Sequence, residues 1–339
     1  MERSGDTGPI LSLCFVTPTR TRSGSRSICL SCRPKTDRIP SHHRHGNTTL
    51  HWLALSLICA FCLASSDAAA KRWLSAAGVR ELVVVRLGLS GLLLAPWVLT
   101  FELPPLPPRF WAWIALLIPL EIAAMLMYMR AIRDYPLALT LPYLAFTPVL
   151  VVITGWLILG ETVSGTGLLG ILLVVSGSWL LNFDRTERLS PRTLVAPLKA
   201  IVVNPGSRLM LATAVIYAVT AVAGKAAMQW MPPAQFGAFY FAVLGGVTLL
   251  VAGITHPQSL RVNRHGALPL LVVAGLMAVM VITHFMALAE VEAAYMIAVK
   301  RTSLLFGMLY GALLFGERHL GRHLIAGLLM VAGVAAISQ

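Results

Sequence analysis

Residues 155–177 read GWLILGETVSGTGLLGILLVVSG, and residues 311–333, 156 positions on, read GALLFGERHLGRHLIAGLLMVAG. Laid over each other without a gap, Gly155 meets Gly311, Gly160-Glu161 meets Gly316-Glu317, Leu172-Leu173 meets Leu328-Leu329, Val175 meets Val331 and Gly177 meets Gly333. Leu and Val coincide by chance whenever two apolar stretches are compared. A Gly-Glu step at the equivalent end of two apolar runs carries more weight. The register extends back to Ala131 with Ala287 and Ala138 with Ala294, and at a shift of 154 Lys71 meets Lys225. One unit is therefore written twice in this chain.

Outward from that pair, apolar runs long enough to cross a bilayer follow one another from Trp52 onward, separated by short stretches of Pro, Gly and charge. The sequence predicts spans at Trp52–Ala70, Leu82–Thr100, Trp111–Ile132, Leu137–Leu159, Val163–Leu181, Leu209–Trp230, Ala234–Ile254, Leu268–Ala289, Ala293–Phe315 and Leu320–Ile337. Runs this long and continuously apolar lack the alternation of a barrel strand, and lipid offers backbone groups no water, so each is expected to be a helix. The expected fold is all-α, a polytopic membrane protein of ten transmembrane helices in two inverted five-helix repeats. Inversion follows from the odd number: a unit of five crossings ends opposite its start, so its tandem copy lies upside down about an axis in the membrane plane. Many secondary transporters are built this way, with substrate held near the midplane between the repeats.

The division expected along the chain is a disordered basic arm at 1–49, a first repeat at 50–182, a basic linker at 183–207 and a second repeat at 208–339. The arm is rich in Ser, Thr, Pro and Arg, with no apolar run suited to a secretory signal. No methionine follows Met1 before Met125, so a natural chain beginning near Leu50 would use a different start codon. A native peptide mapping before residue 40 would exclude that start. Within the linker, Leu194–Val203 is too short to cross and is expected at the interface.

At 57% hydrophobic and 12% charged, the chain cannot cover itself with water-seeking groups. Its formal charge of +13 comes from the arm and from short loops between apolar runs, not from a basic, aromatic-studded face, so nucleic acid is not an expected partner. Cys29 with Cys32, Cys59 with Cys62, and the nearby His42, His43, His45 and His51 resemble zinc spacing only superficially, because the second pair lies inside an apolar helix. No metal and no cofactor is expected. A membrane enzyme is disfavoured too: the sequence has no His-Glu-x-x-His, no intramembrane aspartate pair and no Gly-x-Ser-x-Gly.

Two segments carry a family likeness. Tyr143 to Asn182 combines Thr147-Pro148, the Gly160-Glu161 step, Gly170 and Gly177, and the second runs from Lys300-Arg301-Thr302-Ser303 to Gly316-Glu317. Both resemble the drug/metabolite transporter superfamily, specifically its EamA-like ten-helix members. The resemblance implies a central cavity with the fifth and tenth helices peripheral, and export of an amino acid, metabolite or drug. The basic arm departs from the family pattern.

Ionisable groups at membrane depth are costly unless they face water or a partner, which makes them functional candidates. Glu121 lies near the middle of its span, where it could exchange a proton or meet a cationic group, and Pro119 frees a carbonyl beside it. Lys300 and Arg301 enter two turns into the ninth span. Being about 100° apart on a helix, they are not expected to face one cavity together, and Lys300 is the one favoured. Asp67 has Lys71 four residues on as an expected partner, with Ser65 and Ser66 adding polarity. Arg86, one turn into its span, is expected to snorkel to the same rim, and His284 sits near the end of the eighth.

Glu161 and Glu317 are assigned the structural task of holding the turn to the next helix, outside the substrate site. Gly307 and Gly311 suggest a close helix approach, and Pro142 and Pro148 a bend in the fourth helix. Basic residues favour the loops after odd-numbered spans, including Lys71, Arg133, Arg264 and Arg322, which would leave both termini outside, whereas the arm argues the reverse. The function expected is a multi-pass carrier in the cell (inner) membrane that exports a small polar or amphipathic molecule by alternating access, with protons as the coupling ion. A lipid flippase on the same fold is the alternative; a polar central cavity would favour the solute carrier.

Overall fold

The structure is a computed structural model, which describes residues 45–135, 140, 143–181, 204–315 and 320–338; side chains are described for all of these except 45–49, 181, 312, 315 and 320–324. The expectations for the arm up to residue 44, for Pro142, for most of the linker and for Gly316-Glu317 lie outside those residues. Every regular element described is helical: α1 (His45–Trp73), α2 (Val79–Val98), α3 (Pro108–Asp134), α4 (Thr147–Leu159), α5 (Gly165–Leu181), α6 (Pro205–Met228), α7 (Pro233–Thr255), α8 (Ala267–Glu290), α9 (Ala293–Lys300), α10 (Ser303–Phe315) and α11 (Leu320–Ile337). Two single 3₁₀ turns, Pro257–Leu260 and Val262–His265, join α7 to α8.

Proline marks the starts. Pro108, Pro148, Pro205 and Pro233 each occupy a first turn, where the missing N–H is no loss and the fixed φ suits a helix. Asn204 caps α6 by accepting from Gly206 N at 2.8 Å. Among the described residues six helices are long and apolar enough to cross a membrane: α1 from Leu50, α2, α3, α6, α7 and α8. Thr147–Leu159, Gly165–Leu180 and Ile325–Ile337 are apolar but shorter. Large side chains such as Leu92, Trp156, Leu157, Ile254, Leu313 and Leu328 stand exposed on the outer faces, the pattern of surfaces meant for lipid.

Two predicted spans are interrupted. The fourth run is not one bent helix, for Pro148 begins α4 after a turn at Ala145-Phe146. The ninth breaks at Arg301-Thr302 although it holds no proline. There Arg301 N and Thr302 N bond three residues back to Ala298 O and Val299 O, and the Thr302 hydroxyl takes Val299 O again at 2.8 Å. A hydroxyl competing for a backbone acceptor tightens the turn and stops the helix. In α2 the ladder loosens instead: Val84–Leu89 is π-helical, and the Ser90 hydroxyl bonds Arg86 O and Leu87 O.

The packing has the symmetry of the sequence repeat. α1 packs on α8 and α3 on α6, while α2 packs on α7, α4 on α9 and α5 on α11. Exchanging the halves sends each pair to itself or to another in the set. Glycines give the finest view. A Cβ at Gly91 would sit 2.1 Å from Phe241 O and 2.7 Å from Gly245 Cα; one at Gly245 would sit 2.8 Å from Leu87 O and from Gly91 Cα. Each glycine thus touches its counterpart and the carbonyl four residues before it. Gly170 and Gly333 repeat the reciprocity, each meeting the other's carbonyl at 2.6 Å and the residue four beyond it, Ile337 or Val174. Gly91 and Gly245 are 154 positions apart, and in the 156-residue register the Gly170–Gly333 contact has its mate in Gly177, where a Cβ would lie 2.7 Å from Ala326 O; contacts repeated in this way are isologous, the signature of a two-fold relation. The helices run antiparallel, because Gly88 meets Leu249 while Gly91 meets Gly245. Of the Gly-x-x-x-Gly face expected on the ninth helix, Gly311 is buried but Gly307 is exposed, and a Cβ at Gly307 would meet nothing within 4 Å.

Candidate functional site

A cavity of about 140 Å³ lies between the halves. Helical spacing assembles it. Glu121, Met125 and Tyr128 stand at i, i+4 and i+7 on α3, and Met277, Val281 and His284 do so on α8. α6 adds Tyr217 and Thr220, α7 adds Tyr240, α2 adds Arg86 from its π turn, and the α9–α10 break adds Lys300 and Arg301. Among the described residues neither α5 nor α11 contributes a lining side chain.

The structure brings four of the five sequence candidates onto one wall system: Glu121, His284, Lys300 and Arg301. Lys300 and Arg301 both line the cavity, against the expectation that only one would. α9 ends at Lys300 and Arg301 opens the turn that follows, so the two long side chains reach the hollow from a helix end rather than from one continuous helix face. Asp67, the fifth, binds Arg86 across the helix interface rather than standing in the cavity. Arg86 does not snorkel to a rim, for it is 2% exposed and fully enclosed. A π turn lets it point inward, where Asp67 anchors one end of its guanidinium and leaves the remainder toward the hollow.

Polar atoms in this wall lack protein partners. Among the described residues five buried side-chain atoms have no hydrogen bond; four of them, Arg86 Nε, Arg301 Nε, Tyr240 Oη and His284 Nδ1, belong to cavity-lining side chains, and the fifth, Ser56 Oγ, does not. Buried polar groups are nearly always satisfied, so an accumulation of such atoms around one hollow marks where a solute or water would bond. Three cationic side chains, Arg86, Lys300 and Arg301, face one carboxyl, Glu121, with Asp67 behind Arg86. Met125, Met277, Met280, Phe241 and Phe285 complete the wall with apolar surface. Sequence reasoning placed Arg86 at the rim and missed Tyr217, Tyr240 and Thr220; polar groups at helical spacing inside spans were the available signal. Cys59 and Cys62 are buried core residues, and among the described residues no three His, Cys, Asp or Glu gather in metal-binding range.

Outside the cavity, Glu161 does a different job from the one expected. It reaches Lys225 Nζ on α6 at 2.5 Å and accepts from Ala293 N, the first residue of α9, at 2.9 Å. A wider hollow of about 760 Å³ opens near Glu81, Arg261 and Arg264 at the α7–α8 connection. Its chemistry is already spoken for: Glu81 takes Arg264 with both oxygens at 2.7 Å and Gly78 N at 2.8 Å. The cavity between the halves, with its unsatisfied polar atoms, is the functional candidate.

Residues 50–183 and 204–339 both match the family described as the EamA-like transporter family. No protein of curated function matched the chain. A solved crystal structure, titled only as that of a protein, superposes with a TM-score of 0.63 at 16% identity, over 87% of this chain and 99% of its own. At that identity the likeness speaks for the fold alone.

Proposed function

Because the chain belongs to the EamA-like transporter family, we propose that it is a secondary carrier that exports small amphipathic organic anions by alternating access, coupled to protons through Glu121. In this reading the membrane is crossed ten times, as two inverted five-helix repeats over 50–182 and 208–339. α9 and α10 together supply the ninth crossing. The membrane is the inner cell membrane.

The observation that carries the reading is the surplus of donors in the cavity. Lys300, Arg301 and the free edge of Arg86 surround a hollow whose other walls are thioether and aromatic. A carboxylate or similar head group would satisfy donors that the protein leaves open, and an apolar body would rest on Met277, Met280 and Phe285. Glu121 faces the same space, so a proton gained there changes the charge that the anion meets. A polar centre of this kind supports solute handling over lipid flipping.

The test is transport by purified protein in liposomes, comparing a small aromatic monocarboxylate with the corresponding primary amine and the neutral amide. The carboxylate should exchange across the membrane and respond to an imposed proton gradient. Transport of the amine with exclusion of the carboxylate would overturn the reading.

A further inference from the structure

We propose that Glu161 and Lys225 are positioning residues for transport: a clasp outside the cavity that fixes the start of α9, and through it the place of Lys300 and Arg301, and so governs access to the cavity from its own side of the membrane. The purpose of the clasp rests on the carrier reading; its existence and its effect on access do not.

Three bonds converge on one short connection. Lys225 Nζ donates to Val291 O at 2.5 Å, and Glu161 Oε2 accepts from Ala293 N at 2.9 Å, while the two side chains pair with each other at 2.5 Å. Both members of the ion pair therefore hold the α8–α9 link, Glu161 from the end of α4 and Lys225 from the last turn of α6. Two residues further along α9, Tyr295 Oη accepts from Ser164 N at 2.9 Å and lies 3.1 Å from its hydroxyl. The α4–α5 connection thus grips the first turn of α9 on two sides.

The backbone is shaped for this grip. Gly160 adopts φ +68°, a conformation that ends α4 and folds Glu161 back over the helix end, where its N–H reaches Gly155 O at 3.2 Å. Gly155 leaves the space the carboxylate uses, since a Cβ there would stand 3.2 Å from Glu161 Oε2. Gly167 makes room for Tyr295, whose hydroxyl would lie 2.1 Å from an added Cβ.

α9 is suited to transmit what the clasp does. It is a separate helix, cut from α10 at Arg301-Thr302, and Ala293 to Val299 are all buried. Its clasped end and its cationic end are seven residues apart, about 10 Å along the axis. A tilt at Ala293 therefore moves Lys300 and Arg301 directly. The clasp is also only partly enclosed, with Glu161 14% and Lys225 18% exposed, so water can take over its bonds on release.

The experiment reads access to the cavity by thiol labelling and needs no knowledge of the substrate. In the full chain with its five native cysteines replaced, a cysteine is placed at Ala221, a cavity-lining position one turn before Lys225. A charged, membrane-impermeant methanethiosulfonate is then added to each face of sealed vesicles in turn. Glu161→Gln and Lys225→Gln should each raise labelling from the clasp face by about tenfold, the effect on a two-state equilibrium of losing one charge-assisted hydrogen bond. The reversed pair, Glu161→Lys with Lys225→Glu, should stay fast, because lysine cannot accept from Ala293 N and glutamate cannot donate to Val291 O. Unchanged labelling, or an equal rise from both faces, overturns the proposal; full restoration by the reversed pair overturns it in favour of a bare ion pair. Should Glu161→Gln not accumulate in the membrane, Gly155→Ala displaces the same carboxylate without removing it and is judged by the same outcomes. Failure of anion transport with a positive labelling result would sink the carrier reading and spare the clasp.

Discussion

Two adjacent glycines on α7 should respond oppositely to the same methyl group. At Gly245 a Cβ would lie 2.8 Å from both Gly91 Cα and Leu87 O and 3.0 Å from Gly88 O, all backbone atoms that no rotamer change can move. Reaching ordinary contact near 3.4 Å requires α2 and α7 to part by about 0.6 Å along their closest line, against the close packing of the whole interface. Overpacking of this kind costs about 1–3 kcal/mol, and the better helix propensity of alanine returns up to about 1 kcal/mol. Gly245→Ala is therefore expected to destabilise by up to about 2 kcal/mol once the full propensity return is subtracted. At Gly246 a Cβ would meet nothing within 4 Å, so only the propensity term operates and Gly246→Ala should be neutral or stabilising by up to about 1 kcal/mol. Thermal unfolding of both variants in the same detergent, followed by loss of the monodisperse peak, measures the contrast. Equal melting temperatures, or a more stable Gly245→Ala, would refute the close antiparallel crossing of α2 and α7.

Three further outcomes are expected. Glu121→Gln should leave the protein folded and bound to solute but remove the response of flux to a proton gradient; an unaltered pH dependence in liposomes would remove Glu121 from coupling. Lys300→Ala should weaken anion affinity about tenfold, the scale of one charge-assisted hydrogen bond, read as a raised half-saturating concentration, and an unchanged value would show that Lys300 does not contact the solute. Gly167→Ala should expel the Tyr295 hydroxyl from its place beside Ser164 and lower the melting temperature more than Gly165→Ala, where an added Cβ meets nothing within 4 Å. Equal effects would count against the contact.

Much of the site was legible because lipid makes polar residues conspicuous. Glu121, His284, Lys300 and Arg301 stand out in apolar runs, and the structure lines one cavity with all four. Arg86 was misjudged because its depth depends on a π turn, a backbone irregularity that no residue pattern announced. Asp67 was paired with Lys71 by the i, i+4 rule, yet the structure couples Asp67 to Arg86 on the neighbouring helix. Glu161 was rightly kept out of the cavity, but its partners, Lys225 and Ala293 N, lie 64 and 132 positions away.

Composition and the 156-residue register settled by themselves that this chain is a membrane protein of two like halves, because an apolar surface this large has no stable alternative to lipid and repetition is visible without coordinates. Only the tertiary structure decided which glycines bring helices together. Gly307 on its promising motif faces open space, while Gly91 and Gly245, without a motif, touch backbone to backbone. The reason is physical: within a lipid-facing run every side of a helix is apolar, so sequence periodicity cannot say which side meets hydrocarbon and which meets the neighbouring helix.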